Sequence, residues 1–172
     1  MSTETLHIQP ATAADVATIG RLAHEIWWPT YRKLLPYGQI RMMLAKLYSD
    51  EAITQQLQSG QRFSLVLRGG AAVGFVGYQQ KPSDPGVMRL EKLYVHPSEQ
   101  GRGTGKQLIN YVVQCALDAH CHCVELNVYQ RNPARAFYER QGFTIKDTVD
   151  IPFHGYVLQD YIMRKPLLDD KA

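Results

Sequence analysis

The sequence predicts a mixed α/β fold, in which helices cover the faces of a single sheet. Two kinds of connection between its strands predict this fold. Residues that favour strands flank Gly69-Gly70, which indicates a hairpin and therefore an antiparallel pair. Near Val95 a strand is followed by a glycine-rich stretch and a helix before the next strand begins, and strands joined in this way usually pair in parallel. The sheet is therefore expected to contain both kinds of pair.

The predicted elements follow in a simple order. Strands are predicted at residues 6–8, 63–67, 72–79, 88–95, 124–128, 143–151 and 156–163. A first helix begins at a capping-box-like pair, Thr12 and Asp15, and Pro29 is expected to end or bend it. Further helices are predicted at residues 39–47, 50–57, 107–117 and 133–140. Helices thus separate the first strand from the second, the fourth from the fifth, and the fifth from the sixth.

Composition limits the class of protein. The chain has 172 residues and no Pro/Gly/Ser-rich linker, so one domain spanning residues 1–172 is predicted. No apolar run approaches the ~20 residues that cross a bilayer, and a membrane partner is not expected. Residues 1–4 do not open a signal peptide, which favours a cytoplasmic location. The net charge of +3 is spread along the chain, so a nucleic-acid partner is not expected either.

The cysteines indicate reduced thiols rather than a disulfide framework. Cys115, Cys121 and Cys123 are an odd number gathered in one region. They overlap the run His120-Cys121-His122-Cys123, which contains metal-ligand side chains. Because alternating residues of a strand point to opposite faces, these four cannot close one tetrahedral site, and no metal is predicted.

The stretch Gln100-Gly101-Arg102-Gly103-Thr104-Gly105-Lys106 lies where a strand gives way to a helix. Unpaired backbone N–H groups and the positive end of a helix suit a phosphate, and glycine allows both close approach and positive φ. The side chains of Gln100, Arg102 and Lys106 add donors. The alternative is a glycine-rich surface turn before a helix. The stretch is therefore a candidate phosphate loop.

Spacing separates this loop from two common phosphate-binding motifs. A dinucleotide fingerprint needs G-x-G-x-x-G, and Lys106 occupies the place of its third glycine. A Walker loop needs G-x-x-x-x-G-K-[ST], but Gln100 stands in place of its first glycine and Gln107 in place of the Ser or Thr. Both motifs fail.

The remaining pattern, Q-x-x-G-x-G, resembles the pyrophosphate-binding signature of the GNAT superfamily of acyl-CoA N-acyltransferases. Gln100, Gly103 and Gly105 fill its fixed positions. Residues 132–143 resemble the second hallmark of that family, N-x-A-x-x-F-Y-E-x-x-G-F, and residues 90–97 resemble the strand before the loop. The resemblance covers nearly the whole chain. It implies a mostly antiparallel sheet of about seven strands with one parallel, splayed pair, helices on both faces, and acetyl-CoA as cosubstrate.

The resemblance also implies how the cosubstrate is held. The strand at Leu93–Val95 would splay from the strand at residues 126–128, and the main-chain groups of Leu93 and Val95 would pair with the pantetheine arm. The cofactor-binding residues that the family motifs imply are Leu93, Tyr94, Val95, Gln100, Gly101, Arg102, Gly103, Thr104, Gly105, Lys106, Asn127, Asn132, Arg135 and Tyr138. Asn132 is equally well placed to cap the helix that begins at Pro133.

Acetyl transfer to an amine needs a proton acceptor for the amine and a proton donor for the departing thiolate. By the resemblance, Tyr138 is the general acid; otherwise it is an aromatic that packs its helix on the sheet. Glu91 is the candidate base, on a strand where a bulge is expected. The alternatives are a solvent-facing glutamate paired with Lys92 or Arg89, and removal of the proton by a water chain.

The resemblance implies an acceptor pocket built from the first helices and the final strands, and aromatic and acidic residues there are candidates for binding the acceptor. Such groups together recognise an alkylammonium, and the candidates are Trp27, Trp28, Tyr31, Tyr156 and Asp160. For the two tryptophans the alternative is packing at a helix end. Residues 149–163 look similar to the tail of bacterial polyamine-type acetyltransferases.

The function predicted from these features is an N-acetyltransferase. It would move an acetyl group from acetyl-CoA to a primary amine by direct attack in a ternary complex. The acceptor would be a small amine or polyamine. The alternatives are a protein N-terminus or lysine as the acceptor, and an acyl-CoA-binding sensor that does not turn over. The sequence leaves open whether the chain forms a homodimer.

Overall fold

A computed structural model describes residues 5–167 of the chain. Residues 1–4, on which the signal-peptide expectation rests, lie outside this range. The contacts divide the described chain into two compact units. The first unit contains residues 5–77 and 92–108, and the second contains residues 78–91 and 109–167. The prediction of one domain stays a prediction.

Seven strands and five α-helices make up the described chain. The strands are β1 (Leu6–Pro10), β2 (Arg62–Arg68), β3 (Ala71–Lys81), β4 (Asp84–Val95), β5 (Cys123–Tyr129), β6 (Thr144–Phe153) and β7 (Tyr156–Pro166). The helices are α1 (Val16–Tyr31), α2 (Tyr37–Tyr48), α3 (Asp50–Gln58), α4 (Thr104–Asp118) and α5 (Ala134–Arg140). Short 3-10 turns precede α1 at Ala13–Asp15 and α4 at Pro97–Glu99.

The strands form one sheet in the order β1-β2-β3-β4-β5-β7-β6. β1 pairs antiparallel with β2, and β7 pairs antiparallel with both β5 and β6. β4 and β5 run parallel and pair from Val87↔Cys123 to Leu90↔Leu126. The helix α4 makes the crossover between these two strands, as the sequence pattern predicts. The predicted fold class, a mixed sheet with one parallel pair, is confirmed.

In the first unit, α1, α2 and α3 bury apolar side chains that recur at helical spacing. Ile19, Leu22 and Ile26 of α1 are at most 2% exposed, and Ile40 and Ile53 of the next two helices are fully buried. The predicted capping box is present, because Thr12 accepts from Ala14 N while the Asp15 carboxylate accepts from Thr12 N at 2.8 Å. The cap fixes where this helical region begins.

In the second unit, helices lie over one face of the strands. The hydroxyl of Tyr78, at the end of β3, meets Cys115 Sγ of α4 at 3.7 Å, and Arg135 of α5 lies over the ring of Tyr161 in β7. Met163 and Phe143 are buried in this unit. Because side chains alternate along a strand, Asp160 points to the face opposite to Tyr161.

Several element boundaries differ from those predicted, among them the end of α1 and the start of β4. The helix α1 continues through Pro29 to Tyr31 instead of ending at the proline, and Thr30 Oγ1 donates to Ile26 O at 2.7 Å in that last turn. β4 begins at Asp84 rather than Met88, although Pro85 and Gly86 disfavour a strand. Gln80 Nε2 donates to Pro85 O at 3.0 Å, and His122 N donates to Gly86 O at 2.8 Å, so this segment is held by partners outside its own sequence.

No helix among residues 5–167 is long and apolar enough to cross a bilayer.

Candidate functional site

The glycine loop contains two glycines in the left-handed region of the backbone. Gly101 has φ 79° and Gly103 has φ 77°. A Cβ atom added to either residue would meet nothing within 4 Å in the structure. The requirement for glycine therefore comes from backbone conformation, and the space beside both residues is open to a ligand.

The helix α4 begins directly after this loop. Gln107 N donates to Gly103 O at 3.1 Å, which makes Gly103 the residue that opens the helix. Thr104, Gly105 and Lys106 then form its first turn. Helix geometry gives the N–H groups of a first turn no acceptor within the helix, so these groups suit an anion.

A buried carboxylate, Glu99, lies beside the loop. Arg68 of β2 donates to it through Nε and Nη2 at 3.0 Å. Thr104 Oγ1 donates to Glu99 Oε1 at 2.7 Å, and Arg102 Nη1 reaches Oε2 at 3.3 Å. The hydrogen bonds from Arg68 are the largest cause that lowers the pKa of Glu99 below its ordinary value. The side chains of Thr104 and Arg102, both predicted to bind the cosubstrate, thus also contact Glu99.

The main chain at the end of β4 has a defined direction. His96 N donates to Val73 O of β3 at 2.7 Å, and a Cβ atom on Gly74 would lie 2.7 Å from Tyr94 O. Main-chain groups alternate in direction along a strand. The N–H and C=O groups of Leu93 and Val95 therefore point away from β3.

Three of the predicted acceptor residues lie in α1, and two of them are buried. Trp27 and Tyr31 are buried at 3% and 7% exposure and pack on the ring of Tyr94, whose hydroxyl lies 3.1 Å from that of Tyr31. Packing, the alternative to acceptor binding, describes Trp27. Trp28 is only partly buried and lies against Tyr37, which is 67% exposed.

In the second unit Arg89 connects several polar side chains. Its Nη1 donates to Glu125 Oε2 and to Asn127 Oδ1, both at 2.9 Å. Its Nη2 lies 3.3 Å from Glu91 Oε1, while Gln79 Nε2 donates to Glu91 Oε2 at 2.8 Å. The candidate base therefore pairs with Arg89, as one alternative predicted. Its carboxylate is held at both oxygens, and the Glu91 side chain is 24% exposed.

Glu125 is the most strongly perturbed carboxylate of this group. Burial alone would raise its pKa, but hydrogen bonds from Arg164 at 2.8 Å, from Arg89 and from Lys81 at 3.3 Å outweigh burial. The resulting pKa is about 2. Glu125 therefore stays ionised at neutral pH, and this keeps Arg89 in place.

Asp160 lies on the same face as Asn127. Asn127 Nδ2 donates to Asp160 Oδ2 at 3.3 Å, while its Oδ1 accepts from Arg89. Since an arginine can only donate, Arg89 fixes which end of the Asn127 amide faces Asp160. Burial is the largest cause that raises the pKa of Asp160, and the Asn127 hydrogen bond opposes it. The Asn127 side chain, predicted to bind the cosubstrate, thus joins Arg89 to Asp160.

The short helix α5 carries the predicted acid. Tyr138 is half-buried, with its ring centroid 5.8 Å from that of Phe143 and 5.3 Å from that of Phe137. Asn132 Oδ1 accepts from Ala134 N at 2.9 Å, which is the predicted capping contact. Arg135 Nε lies 3.7 Å from Glu139 Oε1. Tyr156, a predicted acceptor residue, is half-buried beside the β6–β7 turn.

A family comparison decides the class of the protein. The acetyltransferase (GNAT) family matches residues 21–143 of this chain, which include the glycine loop and α5. The chain belongs to the GNAT family. The predicted resemblance is thereby confirmed.

Solved structures of GNAT proteins share the fold. The PaiA N-acetyltransferase of Thermoplasma acidophilum in complex with coenzyme A is 21% identical, with a TM-score of 0.80 over 95% of this chain and 99% of that one. A GCN5-related N-acetyltransferase of Rhodopseudomonas palustris is also 21% identical, with a TM-score of 0.81 over 97% and 99% of the two chains. At this identity the likeness concerns the fold alone.

A curated relative matches a shorter segment. The peptidyl-lysine N-acetyltransferase YiaC of Escherichia coli (strain K12) is 46% identical over 59 residues, which are 34% of this chain. The match spans 37% of that relative's length.

Sequence reasoning about this GNAT chain missed Glu99 and Arg68, and it gave Arg89 only as a partner of Glu91 and not of Glu125 or Asn127. The sequence contained one signal for Glu99, because an acidic residue directly before an anion-binding loop requires a cation that compensates its charge. The identity of that cation was not predictable, since Arg68 lies 31 residues away along the chain. Among residues 5–167 no group of three or more His, Cys, Asp or Glu side chains is arranged to hold a metal.

Proposed function

We propose that this GNAT chain is an N-acetyltransferase that moves an acetyl group from acetyl-CoA to a primary amine by direct attack in a ternary complex. The observation that carries the proposal is the loop geometry. Gly101 and Gly103 take positive φ beside open space and lead directly into the first turn of α4. Backbone N–H groups in this arrangement fit the diphosphate of coenzyme A.

The end of β4 supports the same proposal. The main-chain groups of Leu93 and Val95 point away from β3, so they are directed to pair with an extended pantetheine arm as an added strand would. The complex of the PaiA N-acetyltransferase with coenzyme A shares this fold and agrees with the proposal. Gln100 and Lys106 supply further donors for the phosphates. Asn132 and Arg135 on the segment around α5 would bind the arm.

The proposed chemistry assigns one proton transfer to each of two residues. Glu91 accepts the proton that the amine loses, and its carboxylate is preoriented by Arg89 and Gln79. Tyr138 donates its phenolic proton to the departing thiolate. The helix that carries Tyr138 lies over the face opposite to Asp160 and Asn127. The amine nitrogen forms the new amide bond while the thioester C–S bond breaks.

We propose that the acceptor arrives as an alkylammonium, which releases one proton to solvent to become the attacking amine and loses a second to Glu91 as the amide forms. Asp160 supports this proposal because it is half-buried and negatively charged. Among residues 5–167, the hydrogen bond to its carboxylate is a long one of 3.3 Å, donated by Asn127 Nδ2. Trp28, Tyr31 and Tyr156 are the aromatic candidates for the rest of the acceptor. The free amine of a polyamine and the side chain of a peptidyl lysine share this chemistry. The lysine acetyltransferase YiaC, similar over 59 residues, makes a lysine a second candidate.

The experiment that tests the proposal measures release of free coenzyme A from acetyl-CoA with a panel of amines. One arm contains aliphatic diamines and polyamines, and the other contains peptides with an internal lysine or a free N-terminus. Turnover in either arm, with a raised KM for the amine in Asp160→Asn, is the expected result. Binding of coenzyme A without turnover in any arm would instead favour the acyl-CoA sensor. We further propose a cytoplasmic location, which the free thiols of Cys115, Cys121 and Cys123 favour.

A further inference from the structure

The position of Glu99 poses an electrostatic problem for the loop that follows it. An anion such as a diphosphate is repelled by a carboxylate nearby, and the repulsion is strong where water is excluded. The side chain of Glu99 is only 2% exposed, so water screens its charge poorly. A chain that binds a diphosphate at this loop therefore needs to neutralise Glu99 from within.

Arg68 supplies this neutralisation. Its guanidinium contacts both oxygens of Glu99, with Nε 3.0 Å from each and Nη2 3.0 Å from Oε1. The Arg68 side chain is itself only 17% exposed. A paired contact of this kind fixes the orientation of the carboxylate as well as its charge.

The other contacts of Glu99 reach both sides of the two left-handed glycines. Thr104, which follows Gly103, donates its hydroxyl at 2.7 Å, and Arg102 lies between the two glycines. The Arg102 N–H also donates to Glu99 O at 3.1 Å. Glu99 therefore connects β2 to the loop and to the first turn of α4.

The contacts of Arg68 and Arg102 with Glu99 differ in strength. Arg102 Nη1 lies 3.3 Å from Glu99, and its side chain is 54% exposed. The Arg68 contacts are shorter and better shielded. Arg102 is thus the partner that an arriving phosphate can attract without disturbing Glu99.

We propose that the buried Arg68–Glu99 pair positions the diphosphate loop, with Arg68 cancelling the charge of Glu99 while Glu99 holds the first turn of α4 through Thr104. Both are positioning residues, and neither needs to touch the cosubstrate. Arg102 contacts Glu99 before the cosubstrate binds, and it then turns to contact the phosphate. This inference rests on the proposed function, because it assigns the support of the same coenzyme A site.

Calorimetric titration with coenzyme A tests the pair. Arg68→Met leaves the buried carboxylate with only the longer, exposed contact from Arg102 to compensate its charge, and the Kd is expected to rise about tenfold or more. Glu99→Gln keeps an acceptor oxygen for Arg68, and the Kd is expected to stay within about threefold of wild type. The double variant removes both charges and is expected to recover most of the affinity lost in Arg68→Met. The exposed pair Arg21 and Glu25, changed in the same way to Met and Gln, is the control.

A second pair of variants addresses the contact with α4. Thr104→Val loses the hydroxyl at nearly constant volume, and Thr104→Ser retains it. The valine variant is expected to raise the KM for acetyl-CoA by about threefold or more, with kcat and the KM for the amine little changed, and the serine variant is expected to restore it. This pair also decides the matter if Arg68→Met fails to fold, which circular dichroism detects.

The outcomes separate this inference from the proposed function. A wild-type chain that does not bind coenzyme A overturns both. Two results overturn the positioning role alone when the wild type binds coenzyme A. In the first, the Kd of Arg68→Met stays within twofold of wild type; in the second, the double variant recovers none of the affinity that Arg68→Met loses. If Arg68→Met is unfolded, equal KM values for Thr104→Val and Thr104→Ser have the same consequence.

Discussion

The buried carboxylate Glu125 makes the stability of this protein depend on pH, and the substitution Glu125→Gln is expected to remove that contribution. Its pKa is about 2 in the folded chain, against an ordinary 4.5, because the hydrogen bonds from Arg164, Arg89 and Lys81 outweigh the effect of burial. A carboxyl whose pKa is lowered by folding stabilises the fold at pH values above its ordinary pKa. That stabilisation is lost as pH falls from about 4.5 through about 2.

The magnitude follows from the two pKa values. The difference between 4.5 and about 2 corresponds to about 3 kcal/mol of folding free energy at neutral pH. Screening by water reduces this little, because the Glu125 side chain is 3% exposed. In Glu125→Gln the titrating group is absent, and three cations surround a neutral amide.

The assay is urea unfolding of wild type and Glu125→Gln at pH values from 2 to 7. The wild type is expected to be more stable at pH 7, and the difference in free energy of unfolding should shrink by about 3 kcal/mol as pH falls to 2. The control, Glu139→Gln, removes an exposed carboxylate whose arginine contact is 3.7 Å long, and it should follow the wild-type curve. A difference between wild type and Glu125→Gln that is constant with pH would refute the reasoning.

Three further predictions concern the proposed catalysis. Tyr138→Phe should lower kcat by about 10²-fold or more and weaken the affinity for acetyl-CoA much less, and an unchanged rate would remove Tyr138 as the acid. Glu91→Gln should shift the pH–rate profile toward higher pH; without a shift, water or another group is the base. Gly103→Val should abolish binding of coenzyme A in calorimetry, because valine is strained at φ 77° and occupies the open space. Gly60→Val is its control, since Gly60 also has positive φ, 106°, beside open space, and this variant should still bind.

The order of the elements was predictable because local signals determine it. Thr12 and Asp15 form their capping box within three residues, and Gly69-Gly70 turns the hairpin by its own backbone freedom. The boundaries that sequence reasoning missed are set by distant partners. β4 extends back to Asp84 because Gly86 accepts from His122, 36 residues away along the chain.

The site was predictable where a motif encodes backbone conformation, and less so where side chains choose among partners. The positive φ of Gly101 and Gly103 agrees with the expectation for the loop. The link from Arg89 to Glu125 and Asn127 depends on the pairing of β4 with β5, which places Arg89 opposite Glu125. No local pattern specifies such a register, so this network could be seen only in the folded chain.

The central claim is that the backbone between Gln100 and Lys106 holds a diphosphate. A crystal structure of this chain grown with coenzyme A tests it most directly. The claim predicts diphosphate oxygens within hydrogen-bond distance of the N–H groups that follow Gly103. Density for coenzyme A with its diphosphate away from this loop would contradict it.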